Sequence, residues 1–166
     1  MKQIHNSLLK LLILASLLVL FIGVIPSVYA ADIVESGYCG GEGDGTNLTW
    51  TLDSEGVLTI SGTGKMKDYS TKSNQGAPWQ PTHLDSVFSS MKEIKILDGV
   101  ESVGNYAFYD LHYAFGLKSI YMADSVTEIG NYAFSEIYAQ ITVTLSKNIQ
   151  TIGNHAFYLC YMTGVL

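Results

Sequence analysis

From about residue 91 onwards, short stretches of alternating apolar and polar residues recur in register along the chain. A pattern of an apolar residue, Gly, Asn, Tyr or His, Ala and Phe occurs three times, at residues 103–108, 129–134 and 152–157, with the glycines 26 and 23 residues apart. A second shared apolar stretch precedes each glycine, at residues 94–100, 120–126 and 143–149. A period of about two dozen residues indicates stacked repeats, because one such unit cannot bury its own apolar face.

The stretch upstream of each glycine predicts a short strand with one buried face. Lys95, Tyr121 and Thr144 each stand between two apolar residues, and a period of two places one face in the core and the other in solvent. Successive copies should add parallel strands to one sheet, and such a rigid exposed surface suits recognition. The candidate binding face comprises the outward positions of these strands: Lys95, Tyr121, Thr144, Glu93, Ser119 and Thr142.

The other apolar repeat positions predict the core. We expect the phenylalanines to form one continuous aromatic ladder, and Cys160 to act as a small hydrophobic residue because earlier copies have Leu111 and Ile137 there. A disulfide between Cys160 and Cys39 is the alternative, but it needs Cα atoms within about 7 Å, and two strand spacings already separate them by about 10 Å. The predicted core positions are Phe108, Phe134, Phe157, Ile129, Ile152 and Cys160.

The segment before the repeats predicts a β-hairpin. Leu48, Trp50 and Leu52 alternate with polar residues, residues 53–56 have the composition of a turn, and residues 57–61 are rich in strand formers. An uncovered edge of stacked repeats invites aggregation, so we interpret residues 31–90 as an N-terminal β-rich cap. Trp50 and Trp79 are expected to anchor its packing rather than to bind a ligand.

Residues 1–30 have the three parts of a secretory signal peptide: a basic start at Lys2 and Lys10, a largely apolar run of fifteen residues without a charge at 11–25, and small or slender residues before Ala31. A retained membrane anchor is the alternative, but fifteen helical residues span only about 22 Å of a hydrocarbon core of roughly 30 Å. Without this leader the chain has seven lysines, no arginine and fifteen carboxylates, a formal charge of −8. That balance disfavours nucleic acid and anionic membranes as partners. We therefore expect an exported protein, either secreted or at the cell surface.

No group of residues predicts catalysis, a metal site or a cofactor. The glycine-rich residues 40–45 hold two carboxylates, whereas calcium takes six to eight oxygen ligands, so we interpret them as a flexible turn. The histidines after the leader are scattered, and no nucleophile motif is present. The sequence thus favours a protein that is not an enzyme and needs no cofactor. One further stripe, interpreted as capping turns by hydrogen bonding, follows the repeat glycines: Asn105, Asn131 and Asn154.

The repeated unit Ile-Gly-x-x-Ala-Phe-x-x-(Cys) … Ile-x-Ile … Val, over about residues 92–162, resembles the BspA-type leucine-rich repeats of secreted and surface proteins of bacteria and some protozoa. Residues 36–66 with Pro78 and Trp79 are similar to the N-terminal segment that often precedes such repeats. The first copy departs from the pattern by three extra residues within 109–116. The resemblance implies a leucine-rich-repeat-like solenoid of the α/β horseshoe class, built mostly of short parallel strands and turns. In it, the N-terminal β-hairpin cap precedes about three repeats in residues 91–166, the last of them incomplete.

The function that the resemblance implies is extracellular recognition, with adhesion-type binding of a protein or a glycan. A passive role is the alternative, in which the chain is a spacer or accessory segment of a longer surface protein or secreted enzyme.

The repeat register places the next strand near Leu166, which leaves the last apolar layer uncovered. We expect that layer, with Ile149, Ile152, Phe157 and Cys160, to be exposed. A longer source protein, a truncated gene and self-association through this C-terminal end would each account for it.

Overall fold

The computed structural model describes residues 31–72, 75–80 and 87–165, so the leader predicted at residues 1–30 lies outside the described residues. The described residues contain eleven strands, one 3₁₀ helix at Val87–Ser90 and no α-helix. The strands are β1 Ile33–Tyr38, β2 Leu48–Asp53, β3 Val57–Gly62, β4 Gly64–Lys65, β5 Glu93–Ile96, β6 Val100–Val103, β7 Ser119–Met122, β8 Glu128–Ile129, β9 Ile141–Thr144, β10 Thr151–Ile152 and β11 Met162–Val165.

Two sheets run along the repeats. The larger has seven strands in the order β1-β2-β3-β5-β7-β9-β11, and the smaller has four in the order β10-β8-β6-β4. Each repeat copy contributes one strand to each sheet, and neighbouring copies pair in parallel. This arrangement is the predicted solenoid of short parallel strands and turns.

The N-terminal hairpin forms as predicted and covers the first repeat. Strands β2 and β3 pair antiparallel, and burial alternates along both of them. The Asp53 carboxylate accepts the backbone N–H groups of Glu55 and Val57, which closes the turn around Gly56. Strand β3 then pairs in parallel with β5, so the hairpin continues the repeat sheet. Strand β1, which the sequence analysis did not identify, adds an outer antiparallel strand.

The aromatic ladder of the core is confirmed, and it continues into the cap. The rings of Phe108 and Phe134 stack with centroids 5.0 Å apart, and those of Phe134 and Phe157 stack at 5.3 Å. Trp79 stacks on Phe108 at 5.2 Å, and its indole N–H donates to the carbonyl of Ala107 at 2.8 Å. Trp79 is fully buried, which agrees with its predicted role as a packing anchor.

The repeat glycines are required by close backbone approach. A Cβ on Gly130 would lie 2.6 Å from the backbone nitrogen of Asn105, and one on Gly153 would lie 2.5 Å from that of Asn131. The left-handed backbone conformation falls two residues later instead, on the Tyr or His of each copy. The side chains of Asn105 and Asn131 also accept the backbone N–H of the asparagine in the next copy, with Asn131 N to Asn105 Oδ1 at 2.6 Å.

Of the six predicted core residues, Phe108, Phe134 and Ile129 are buried, whereas the three that also belong to the predicted uncovered layer are half-buried or exposed. Ile152 is 50% exposed, whereas its counterpart Ile129 is fully buried. Phe157 and Cys160 are half-buried against the core. The reason is position along the stack: the third copy covers Ile129, but no described copy covers Ile152. Cys39 is buried, and both cysteines are unpaired.

The prediction that the next strand begins near Leu166 is wrong. Strand β11 begins at Met162 and pairs in parallel with β9, with Met162 opposite Ile141 and Val165 opposite Val143. It begins early because the connection after Phe157 is short. Two tight turns, with Cys160 N–H to Phe157 O and Met162 N–H to Cys160 O, bring the chain back to the sheet edge.

Candidate binding face of the sheet

The six residues of the predicted binding face form two columns across three parallel strands. Glu93, Ser119 and Thr142 lie opposite one another in β5, β7 and β9. Lys95, Tyr121 and Thr144 form the second column in the same strands. All six are at least partly exposed, and the predicted register is confirmed.

Tyr121 is the most prominent side chain of this face. It is 42% exposed, whereas Ile120 and Met122 on either side of it are buried at 1%. The alternation comes from the pleat of β7, which turns successive side chains to opposite faces. A tyrosine held in this way presents an apolar ring and a polar hydroxyl at a low cost in conformational entropy.

The face extends across the cap, which the sequence analysis missed. Thr59 lies opposite Lys95, and Thr51 lies opposite Thr59, so the second column continues into β3 and β2. The hydroxyls of Thr49 and Ser61 lie 3.1 Å apart on the same pair of strands. The same period-two pattern in residues 48–61 could have identified these positions, but it served there only to predict the hairpin.

The charges on the face nearly cancel. Lys95 Nζ lies 3.1 Å from Glu93 Oε2, and both groups are about one-third or more exposed. Exposed pairs of this kind contribute little to stability, but this one leaves little net charge among the surrounding hydroxyls. The binding face therefore offers hydrogen bonds and one aromatic ring.

A stacked stripe that the sequence did not predict lies on the turns rather than on the sheet. The rings of Tyr106, Tyr132 and His155 stack face to face with centroids 5.0 Å apart. His155 is exposed. In the part of the chain that the structure describes, no three His, Cys, Asp or Glu side chains come together in a way that could hold a metal ion. Nor is any helix in that part long and apolar enough to cross a membrane.

Comparison with known proteins agrees with this architecture. A family model described as a BspA type leucine rich repeat region of six copies matches residues 85–165. The crystal structure of a leucine-rich repeat protein from Eubacterium ventriosum matches 80% of this chain with a TM-score of 0.53 and 22% identity. This chain spans 40% of that protein, and at this identity the likeness shows the fold alone.

Among curated proteins, none matches this chain.

The fold, the strand register and the family match point to the same conclusion. Residues 85–165 are a BspA-type leucine-rich repeat region.

Proposed function

We propose that this chain is an exported, non-catalytic recognition scaffold, secreted or at the cell surface, that binds a protein or a glycan through the binding face. The observation that carries the proposal is the register of the larger sheet. It places Lys95, Tyr121 and Thr144 in one column that is at least partly exposed. Both neighbours of Lys95 and of Tyr121 are buried, and Thr144 lies between buried Val143 and half-buried Leu145.

The sheet suits binding because its side chains are positioned before any partner arrives. Parallel pairing fixes neighbouring side chains of one column about 4.8 Å apart, and most of the apolar side chains behind them are fully buried. Ordering interface side chains costs about 0.5–1.5 kcal/mol each, and a rigid sheet reduces that cost. The near-neutral, hydroxyl-rich surface fits a polar partner without strong charge.

The test is a binding screen of residues 31–166 against immobilised extracellular-matrix proteins and glycans. We expect a saturable interaction that Tyr121→Ala weakens about tenfold, as expected for an aromatic anchor. Tyr138→Ala is the matched control, because Tyr138 is 45% exposed but lies outside the sheet. Equal losses in both variants, or no saturable partner in the screen, would favour the passive spacer instead.

Export is a separate part of the proposal and has its own test. It rests on the composition of residues 1–30, with two lysines, an uncharged apolar run and small residues before Ala31. Expression in a bacterial host with an intact export pathway should release a chain that begins at Ala31. Sequencing the N-terminus would show this, and a chain retained in the cell with Met1 intact would contradict it.

We also propose that two chains associate through the C-terminal end of the stack. Ile152, Tyr161 and Val165 are each at least half exposed there. In the first two copies, three backbone N–H groups per copy donate to carbonyls of the next copy. The corresponding N–H groups of the third copy have no acceptor among the described residues: those of His155, Phe157 and Leu159.

Light scattering after size exclusion tests this association on residues 31–166. We expect the dimer fraction to rise with concentration, and Val165→Lys to lower it by placing a charge on the open edge. A strictly monomeric parent at high concentration would contradict the association and leave the binding face unaffected.

A further inference from the structure

Three buried residues anchor the longer loop of the first copy. Leu111, Ala114 and Leu117 are buried at 1–2%. Two successive turns link them, with Ala114 N–H to Leu111 O and Leu117 N–H to Ala114 O, both at 3.1 Å. The side chains between the anchors point away from the core, and Phe115 is 70% exposed. The three additional residues thus build an aromatic projection that the other copies lack.

This loop forms one wall of a cavity of about 940 Å³, which we call the lateral cleft. The cap forms the opposite wall, and Gln80 joins the two by donating its side-chain N–H to the carbonyl of Tyr109 at 2.7 Å. A volume of this size is ample for a small ligand. The lateral cleft is lined by two sets of residues: Ser70, Thr71, Lys72, Gly76, Ala77, Pro78 and Gln80 from the cap, and Tyr109, Asp110, His112 and Tyr113 from the first copy.

The repeat wall is held in place by its own contacts. His112 Nδ1 lies 2.6 Å from Asp110 Oδ1, and the His112 ring packs against Tyr113 with centroids 3.9 Å apart. The Tyr109 hydroxyl donates to the Glu136 carboxylate at 3.1 Å, and the backbone N–H of Asp110 donates to a carbonyl of the second copy. A wall fixed in this way loses little freedom when a ligand binds.

The lining chemistry selects the class of ligand. Hydroxyl, amide and phenol groups predominate, and Lys72 faces a wall that carries Asp110, so the cleft holds one clear charge of each sign. The charge of −8 outside the leader disfavours an anionic ligand. The residues that line the cleft lie in turns and loops, so none of them offers the open strand edge that an extended peptide uses for main-chain pairing.

We propose that the lateral cleft is a second binding site, and that it takes a short neutral oligosaccharide. The rings of Tyr113 and His112 would pack against the apolar face of a sugar, and the hydroxyl and amide groups of the cap wall would bond to its hydroxyls. The site is independent of the binding face, because the two share no residue.

The experiment uses residues 31–166 with cello-, malto-, manno- and chito-oligosaccharides, each titrated to millimolar concentration and followed by calorimetry and ligand-observed NMR. Tyr113→Ala and Lys72→Ala remove one group from each wall. Both side chains are at least partly exposed, so both variants should keep the parent melting curve. Tyr121→Ala on the binding face is the matched control.

We expect at least one oligosaccharide to saturate the protein, and Tyr113→Ala to weaken it about tenfold. Lys72→Ala should weaken the same sugar, and Tyr121→Ala should leave its affinity unchanged. The proposal is overturned if no sugar of the four series binds. It is also overturned if only Tyr121→Ala weakens the sugar, which would instead support the binding face as the glycan site. Should Tyr113→Ala lose the fold, retained affinity in Lys72→Ala would count against the cleft.

Discussion

Replacement of Phe134 by alanine tests whether the aromatic ladder holds the repeats together. Phe134 is fully buried and stacks on two other rings, at 5.0 Å on Phe108 and at 5.3 Å on Phe157. Phe157 is the natural comparison, because among the described residues it stacks on Phe134 alone, and it is only half-buried. The same chemical change is thus available at an enclosed position and at the open end of one ladder.

The expected losses follow from these surroundings. Truncation of a buried phenylalanine costs about 3–5 kcal/mol, which includes the cavity that it leaves. A stacked aromatic pair contributes about 0.5–1.5 kcal/mol beyond burial, and Phe134→Ala removes two such pairs. Phe157→Ala removes one pair and less buried area, so we expect about 1–3 kcal/mol. Domains have only about 5–15 kcal/mol of stability in total, so the middle variant should lose much of it.

Thermal and urea melts of residues 31–166, followed by circular dichroism, measure the difference. A loss of 3–5 kcal/mol should lower the melting temperature of Phe134→Ala by about 10–20 °C, with a smaller shift for Phe157→Ala. If Phe134→Ala melts together with the parent, the ladder does not hold the stack. If Phe157→Ala is the more damaging of the two, the assignment of the open end is wrong.

Three further predictions concern the backbone, the turns and the thiols. Gly130→Ala should destabilise the fold by more than about 1 kcal/mol, because its Cβ would lie 2.6 Å from a backbone atom. Gly164→Ala is the control, because the nearest atom to its Cβ would be 3.8 Å away. Equal melting curves for the two variants would refute the close approach. Asn131→Ala should lower the stability measured in urea melts by about 0.5–1.5 kcal/mol, because it removes the side-chain acceptor of the Asn154 backbone N–H. Asn131→Asp should keep the stability of the parent, because a carboxylate oxygen can accept the same hydrogen bond. Burial raises the pKa of Cys39 to about 12 and that of Cys160 to about 11. Mass spectrometry at pH 8 should show that both thiols of the folded protein are alkylated slowly, and that Cys39 reacts more slowly than Cys160. The free energy of unfolding should fall above about pH 9, because there the thiols lose their protons in the unfolded chain but keep them in the folded one.

The sequence alone was sufficient for the repeating part of this protein. The alternation of Ile120, Tyr121 and Met122 predicted both the strand and its outward side chain, because the pleat of a strand turns successive residues to opposite faces. The recurrence of Ala-Phe predicted the aromatic ladder, because equivalent positions of stacked units must coincide. Both conclusions depend on the succession of residues within each repeat, which a single sequence shows.

The sequence predicted that the last layer would be uncovered, but tertiary structure decided how far each of its residues is exposed. Ile129 and Ile152 occupy the same position of the repeat, but one is buried and the other is half-exposed. Periodicity treats every copy alike, whereas burial depends on whether a neighbour covers that copy. The start of β11 at Met162 has a different origin, because a shorter connection displaced the strand from the repeat register.

The contacts between the cap and the first copy were equally inaccessible to sequence reasoning. Trp79 continues the ladder by stacking on Phe108, and Gln80 bonds to Tyr109, in each case across 29 residues without a shared pattern. The three extra residues near Tyr113 were visible in the sequence as an irregularity, but only packing against the cap made them the wall of a cleft. The repeat pattern determined what each unit buries and displays, while the places where the repeat breaks off depended on long-range packing, which local periodicity does not encode.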